Sequence, residues 1–231
     1  MADHPKHQTN RRGWEAERLV PAQIPWHKKR MIQEHTMRYQ FASRFVSNKT
    51  VIDLACGTGY GCHILQQAGA VTVTGIDISA EAIDYAKAHY AASNIKYLQS
   101  DVTKTNLTPH SADVVTSFET VEHLQNDQQF IREVRRLLKP NGIFIISTPN
   151  IEFSTGTNPY HVREYTYTEC KALLKDFSSI QSFGQRKVVR SLFNFMKKLP
   201  SITAFRPWES VSIYPIKSDT NYCYFVFVCK L

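Results

Sequence analysis

Short apolar runs alternate with amphipathic helical patterns along most of this chain. Strand-length runs occur at residues 51–55, 71–76, 95–98, 113–118 and 143–147. Between and after them, apolar residues recur at the spacing of a helix face at 60–68, 80–90, 127–139 and 166–174. Ser79 offers the hydroxyl that commonly begins a helix, and Pro140-Asn141-Gly142 ends one. Strands that alternate with helices predict an α/β domain with a mainly parallel sheet.

The two ends of the chain differ from this regular middle. Residues 28–46 form a further predicted helix, and closing strands are expected at 180–183 and 222–228. We therefore predict an N-terminal arm or lid at residues 1–30 and a single domain at 31–231. Within that domain, the segment at 185–221 is expected to be an insertion that faces the substrate.

Composition excludes several classes of protein. Of the 231 residues, 42% are hydrophobic and 21% are charged, which is typical of a folded globular domain. No apolar run approaches the ~20 residues that a membrane helix needs, and the polar first thirty residues do not resemble a secretory signal. The five cysteines are scattered without a CxxC pair, which argues against a disulfide framework or a zinc ribbon. These features predict a cytoplasmic location.

Positive charge is concentrated at both ends of the chain. The net charge is +8, and the excess of Lys and Arg lies in residues 1–30 and 185–231. Basic ends suit an anionic partner, such as RNA, a phosphorylated metabolite or a lipid head group. The same charge also serves solubility alone, and that interpretation remains open.

A glycine-rich loop follows the first predicted strand. The GxGxG pattern of residues 57–61 lets the backbone approach a ligand closely. Asp77 and Asp101 end the next two strands, where acids can bind ribose hydroxyls and an adenine amino group. Asp53 lies just ahead of the loop, and its carboxylate would repel the pyrophosphate of a nicotinamide cofactor. A cationic sulfonium compound is favoured instead, so S-adenosylmethionine (SAM) is the predicted ligand.

The fourth strand runs into a second group of reactive side chains. Glu119, Glu122 and His123 share one face if this segment turns helically, and His161 follows the fifth strand toward the same edge. Two carboxylates and two imidazoles suit a divalent metal such as Mg²⁺, which would help to deprotonate a hydroxyl group. Two alternatives remain: His123 is a metal-free general base held by Glu122 or Glu119, or both histidines are structural, with His161 orienting Arg163 or Glu164.

Four segments together resemble class I SAM-dependent methyltransferases: VIDLACGTGYG (51–61), VTGIDIS (73–79), SDV (100–102) and REVRRLLKPNGIFIISTPN (132–150). The resemblance implies a Rossmann-like, seven-stranded, mainly parallel sheet with an antiparallel last strand and helices on both faces. It implies cofactor contacts at Arg38, Asp53, Ala55, Gly57, Thr58, Gly59, Asp77, Ile78, Asp101, Val102 and Phe118. Among these, Ile78 and Val102 would flank the adenine, and Arg38 would meet the methionine carboxylate.

The ExxEH stretch at residues 119–123 is similar to two subfamilies. One is the ubiquinone-pathway O-methyltransferases; the other is the small-RNA 3′-end 2′-O-methyltransferases, which hold magnesium. The chain departs from the RNA subfamily, because only one histidine follows Glu122 where a pair is usual. The expected function is O-methylation of a small molecule (a catechol, a sugar diol or a lipid-linked acceptor), with Glu122 and His123 as catalytic residues. The alternatives are an RNA 2′-O-methyltransferase and a non-catalytic SAM-binding protein.

Overall fold

The computed structural model of the chain describes residues 29–154, 158–186, 213–217 and 222–231. The predicted arm at 1–30 lies almost wholly outside the described residues, and so does most of the predicted insertion at 185–221. The division of the chain into arm, domain and insertion therefore stays a prediction.

Every predicted element that falls on described residues is present. The helices are α1 (Lys29–Ala42), α2 (Tyr60–Gln67), α3 (Ala80–His89), α4 (Asp127–Leu137) and α5 (Tyr167–Leu173), with 3-10 turns at Ser43–Phe45 and Val121–His123. The strands are β1 (Thr50–Leu54), β2 (Thr72–Asp77), β3 (Ile95–Gln99), β4 (Ala112–Phe118), β5 (Leu138–Pro149), β6 (Ser179–Gln185), β7 (Ile213–Pro215) and β8 (Tyr224–Lys230). Within the described part of the chain, no helix combines the length and apolarity needed to cross a membrane.

The strands form one mixed sheet in the order β3-β2-β1-β4-β5-β8-β6-β7. Strands β1 to β5 pair in parallel, and β8 lies antiparallel between β5 and β6. This confirms the predicted fold class. The described residues contain eight strands rather than seven, because the short β7 pairs antiparallel with the outer side of β6.

Helices cover both faces of the sheet, as expected. The period-two alternation of β1 sends Val51 toward one face and Leu54 toward the other, and both are fully buried. Apolar residues of α1, α2 and α3 pack with Val51, whereas those of α4 and α5 pack with Leu54. Two apolar layers therefore hold the sheet rigidly between them.

Strand β5 begins five residues earlier than the apolar run at 143–147 predicts. Leu138 already pairs with Ala112, and a bulge then separates this pair from the pairing of Val114 with Ile143. Asn141 takes a left-handed conformation (φ 64°) within the bulge. The preceding helix ends at Leu137 and not at Pro140-Asn141-Gly142 as predicted, because these three residues lie within the irregular start of the strand.

The strand directions bring several chain segments to one edge of the sheet. The carboxyl ends of β1, β2, β4 and β5 meet there, because these strands are parallel. Strand β6 runs the same way as β5, since both are antiparallel to β8. Gln185, which ends β6, and Tyr224, which begins β8, therefore lie at this edge as well.

Candidate functional site

The glycine-rich loop has the conformation that its sequence predicts. Ala55, Gly57 and Gly59 all have positive φ, at 61°, 54° and 86°. A Cβ atom added to Gly57 would meet no atom within 4 Å, so the loop borders open space at this residue. A Cβ atom on Gly59 would instead lie 2.6 Å from Ala86 of α3. The first glycine therefore leaves room for a ligand, and the second allows close packing.

Asp77 connects the loop to the end of β2. Its Oδ2 accepts a hydrogen bond from the backbone N–H of Gly57 at 2.9 Å, and its Oδ1 accepts one from the N–H of Ser79 at 3.0 Å. The next residue, Ile78, is a large apolar side chain that is 64% exposed. An acid beside an exposed apolar residue can bind a ligand with a hydroxylated ring and a flat apolar base.

The structure corrects the expectation that the carboxylate of Asp53 faces a ligand. Asp53 is fully buried below the loop and accepts hydrogen bonds from Thr116 Oγ1 (2.6 Å), Tyr39 Oη (3.0 Å) and Cys62 Sγ (3.4 Å). Burial raises the pKa of Asp53 to about 6, although these hydrogen bonds favour the ionised form. The side chain is therefore part of the interior that supports the loop.

Three other predicted cofactor residues also have buried side chains. The ring of Phe118 packs edge-on against Tyr39 with 4.9 Å between ring centroids. Val102 belongs to the apolar core between the sheet and α4, and Thr58 is only 1% exposed. The exposed Asp101 accepts hydrogen bonds from the N–H and hydroxyl of Thr103, both at 2.8 Å. Of the predicted adenine wall, only Ile78 is exposed.

Arg38 of α1 is a buried cation with two unused nitrogen atoms. Its side chain is 0% exposed, and its Nε donates to Gln185 Oε1 at 2.8 Å. The guanidinium carbon lies 4.2 Å from the centroid of the Tyr224 ring. Neither Nη1 nor Nη2 has a hydrogen-bond partner. A buried guanidinium with two unpartnered nitrogens is suited to an anionic ligand.

Glu119 follows β4 in a strained backbone conformation, with φ at 53°. Its Oε1 accepts a hydrogen bond from Ser147 Oγ at 2.8 Å and lies 3.6 Å from Arg38 Nη1. The side chain is 14% exposed. Strand β5 therefore fixes the carboxylate next to the buried guanidinium.

Glu122 is a fully buried carboxylate with only one bonded oxygen. Thr148 Oγ1 donates to Oε2 at 3.1 Å, whereas Oε1 has no partner. Burial, together with the neighbouring Glu119 carboxylate, raises the pKa of Glu122 well above its ordinary value. A cation beside Oε1 would relieve this cost of burial.

Each of two histidines has one ring nitrogen bound to a protein acceptor. His123 Nδ1 lies 3.1 Å from the carbonyl oxygen of Tyr160, and His161 Nδ1 lies 2.5 Å from Glu164 Oε1. A carbonyl oxygen can only accept, and a carboxylate oxygen accepts when ionised, so we infer that each Nδ1 carries the hydrogen. In the neutral form of either ring, the remaining Nε2 has a lone pair.

These side chains converge into one potential metal site. Ligand atoms of Glu122, His123 and His161 lie within 4.8 Å of one another. The two imidazole rings are 4.9 Å apart between centroids, at an interplanar angle of 77°. Glu119 is outside this group, unlike in the predicted four-ligand set. The sequence-based alternative in which His161 contacts Glu164 is also observed, and the two roles are compatible because Glu164 uses Nδ1.

Several residues at this edge of the sheet were not identified as site residues from the sequence. Gln185 and Tyr224 contact Arg38, although Gln185 is 147 residues from it in the chain. Thr148 and Ser147 orient the two glutamates. Ser147 and Thr148 directly follow the apolar residues of β5, so the sequence predicts their position at the ligand edge. No sequence pattern near Arg38 predicts its contacts with Gln185 and Tyr224.

Comparison with known proteins shows which family the chain belongs to. Residues 45–195 match the profile of a family described as "Methyltransferase domain". A relative from Mycolicibacterium smegmatis, named "Probable S-adenosylmethionine-dependent methyltransferase", is 33% identical over 148 residues, which cover 62% of this chain and 56% of that protein. The "Ubiquinone biosynthesis O-methyltransferase" of Neisseria meningitidis is 32% identical over 106 residues, covering 44% of each chain. The chain thus spans about half the length of these relatives.

Solved structures agree with the fold. An S-adenosylmethionine-dependent methyltransferase from Mesorhizobium loti superposes with a TM-score of 0.61 at 19% identity. The alignment covers 84% of this chain and 98% of that one. At this identity the likeness shows a common Rossmann-like architecture.

Proposed function

The chain belongs to the class I SAM-dependent methyltransferases, and from that premise we propose that it methylates a hydroxyl group of a small-molecule acceptor bound beside Glu122, His123 and His161. The observation that carries this proposal is the convergence of these three side chains at the carboxyl ends of β4 and β5. The similarity to ubiquinone biosynthesis O-methyltransferases supports a hydroxyl acceptor.

The residues at the sheet edge fit SAM. Arg38 has two unpartnered nitrogens for a carboxylate, the loop is open at Gly57, and Asp77 and Ile78 lie at the adjacent strand end. SAM, when bound, supplies an electrophilic methyl group on a positively charged sulfur. The loop and the strand ends would hold it in a fixed orientation, which is the main contribution that a protein makes to such a transfer.

The acceptor hydroxyl must lose a proton, and the three-residue cluster is the proposed place for that change. Glu122 Oε1, His123 Nε2 and His161 Nε2 would hold a divalent cation, whose charge favours the ionised form of a nearby hydroxyl group. Support comes from the unpartnered Oε1 and from the bonds that keep hydrogen on both Nδ1 atoms. Without a cation, His123 Nε2 would accept the proton directly.

In this proposal the acceptor carries the hydroxyl group that is methylated. Catechols, sugar diols and lipid-linked molecules are the three candidate classes of acceptor. The RNA alternative rests on basic segments at 1–30 and 185–231, which lie mostly outside the described residues. That alternative stays a prediction that the following experiment also tests.

The test is a methyl-transfer screen with labelled SAM against catechols, sugars and short RNAs, with and without EDTA. We expect an O-methylated product from a small acceptor, loss of activity with EDTA, and recovery with Mg²⁺ or Mn²⁺. His123→Ala should abolish transfer but retain SAM binding, whereas His89→Ala, at an exposed ring stacked on Tyr85, should behave as the parent enzyme.

The outcomes separate the alternatives. EDTA-resistant transfer that is lost in His123→Ala would select the metal-free base. A product methylated on nitrogen or carbon would overturn the proposed function. Methylation of short RNA alone, at low salt, would select the RNA alternative.

A further inference from the structure

We propose that the thiols of Cys56 and Cys62 form a redox switch beneath the glycine-rich loop: peroxide joins them in a disulfide, and the disulfide weakens the binding of SAM. The inference rests on the binding of SAM beside this loop, which is part of the proposed function, and depends on neither the acceptor nor a metal. The proposed methyl transfer uses neither thiol.

The glycine-rich loop brings the two sulfur atoms together. Cys56 directly precedes Gly57, and Cys62 lies in the first turn of α2. A Cβ atom added to Gly75 of β2 would lie 2.9 Å from Cys56 Sγ and 2.7 Å from Cys62 Sγ. Both sulfurs therefore border one point under the loop, where the two thiols are hydrogen-bonded to each other. Neighbouring thiols at the two ends of a short loop can be joined with only a small movement of the chain.

Asp53 provides a proton acceptor for one of these thiols. Cys62 Sγ donates a hydrogen bond to Asp53 Oδ2 at 3.4 Å. Burial raises the pKa of Asp53 to about 6, so most of this carboxyl group is still ionised at neutral pH. Burial also raises the pKa of the Cys62 thiol well above its ordinary value. Cys62 therefore keeps its proton until the carboxylate takes it as the new sulfur bond forms.

Cys56 is the thiol that peroxide reaches first. It is 2% exposed and Cys62 is 0% exposed, but the adjacent Gly57 borders open space. The hydrogen bond with Cys62 lowers the pKa of the Cys56 thiol, although burial and the carboxylates of Asp53 and Asp77 raise it by more. Oxidation is therefore slower than at an exposed thiolate, and it proceeds through the empty cofactor site. A ligand bound beside Gly57 would close that route.

The reaction balances with hydrogen peroxide as the two-electron oxidant. The Cys56 sulfur attacks one peroxide oxygen, the O–O bond breaks, and the products are a sulfenic acid and one water molecule. The Cys62 sulfur then attacks the sulfenic sulfur, and its proton passes through Asp53 to the departing hydroxide, which leaves as water. Two thiols and one peroxide thus give one disulfide and two water molecules.

The disulfide would change the shape of the loop. The backbone N–H of Cys56 donates to the carbonyl oxygen of Ile76 at 2.9 Å, and its carbonyl oxygen accepts from the N–H of Gly59 at 3.1 Å. Cys56 must move toward Cys62 to form the sulfur bond, and this movement strains both hydrogen bonds. The same two bonds hold the turn that leaves the loop open to a ligand, so oxidation should weaken binding.

The first measurement is whether peroxide forms this disulfide. The reduced full chain is treated with equimolar hydrogen peroxide, blocked with N-ethylmaleimide and digested with chymotrypsin. Because chymotrypsin cleaves after Tyr60, between the two cysteines, the disulfide would join two peptides that separate on reduction. S-adenosylhomocysteine, the demethylated product of SAM, should slow the reaction about fivefold or more at saturation. Asp53→Asn, which lacks the proton acceptor, should also slow it.

The second measurement is calorimetric titration with S-adenosylhomocysteine. The oxidised protein should bind about tenfold more weakly than the reduced protein, and dithiothreitol should restore the affinity. Cys56→Ser and Cys62→Ser should each bind with the same affinity before and after peroxide. Cys223→Ser is the matched control at a partly exposed thiol, and it should respond to peroxide as the parent does. Cys56→Ala replaces any serine variant that fails to bind the ligand when reduced.

The outcomes separate this inference from the proposed function. Peroxide that oxidises Cys223 but leaves Cys56 and Cys62 as free thiols would overturn the switch. A disulfide-linked protein that binds S-adenosylhomocysteine with unchanged affinity would overturn it as well. A reduced parent protein that does not bind S-adenosylhomocysteine would instead contradict the proposed function.

Discussion

Replacing Asp53 by asparagine should change how the stability of this protein depends on pH. Asp53 is fully buried and shares its carboxylate among Thr116, Tyr39 and Cys62. Burial disfavours the ionised form more than these hydrogen bonds favour it, so its pKa rises from 3.8 to about 6. The asparagine variant has the same shape but no proton to gain or lose at this position.

The size and sign of the effect follow from proton linkage. A carboxyl group whose pKa is higher in the folded state contributes stability that is complete below 3.8 and is lost as the pH rises through about 6. The full difference corresponds to about 3 kcal/mol. When the pH is lowered from 7 to 5, the free energy of unfolding of the parent should therefore rise by about 1 kcal/mol relative to that of Asp53→Asn.

Urea unfolding of the parent and of Asp53→Asn, at steps of half a pH unit from pH 5 to pH 7.5, measures this difference. The contributions of other titrating groups are common to both proteins and cancel in the difference. Asp113→Asn is the matched control, because Lys139 and the N–H of Thr50 help to lower the pKa of Asp113. The stability lost in that variant should be constant over this range. A constant difference for Asp53→Asn as well would show that the buried carboxyl titrates normally and would refute the reasoning.

Three further predictions concern the packing behind the glycine loop, the histidine cluster and the proposed adenine contact of Ile78. Gly61→Ala should lower the free energy of unfolding in urea by about 1–3 kcal/mol, because the new Cβ would lie 2.0 Å from the Tyr39 ring; an unchanged midpoint would contradict this close packing. Glu164→Gln should lower Mn²⁺ affinity at least tenfold in calorimetry, since the bond that orients His161 loses its charge, and unchanged affinity would exclude that role. Ile78→Ser should weaken the binding of S-adenosylhomocysteine and of 5′-methylthioadenosine, which lacks the amino-acid part, by the same factor of about five. An effect on only one of the two ligands would argue against an apolar contact with the nucleoside that they share.

Most of the fold was predictable because local patterns and tertiary packing agree. Strand-length apolar runs, helix caps such as Ser79, and the glycine loop each indicate the element that the structure contains. The exceptions have physical causes. Strand β7 is only three residues long and depends on pairing with β6, and the early start of β5 depends on a bulge against β4. Neither feature leaves a periodic signal in the sequence.

The sequence predicts which residues lie at the candidate site better than it predicts where their side chains point. Parallel strands end at one edge, so the sequence located Asp77, Glu122 and His123 together without any distance information. Which way each side chain points was harder. Asp53 lies on the same face of β1 as Val51, which packs with α1 and α2, so the period-two alternation places its carboxylate in the interior. Gln185 could not be found, because its contact with Arg38 exists only after the sheet has closed.

Arg38 and Glu122 at the ligand edge of the sheet lower the stability of the fold. Arg38 and Glu122 are both completely buried and both retain unpartnered polar atoms, and each such group opposes folding. Glu119 lies close enough to influence both. A ligand that carries a carboxylate, an ammonium group and a cationic sulfur, as SAM does, would place opposite charges beside these groups. Binding of SAM should then raise the free energy of unfolding as well as orient the methyl group.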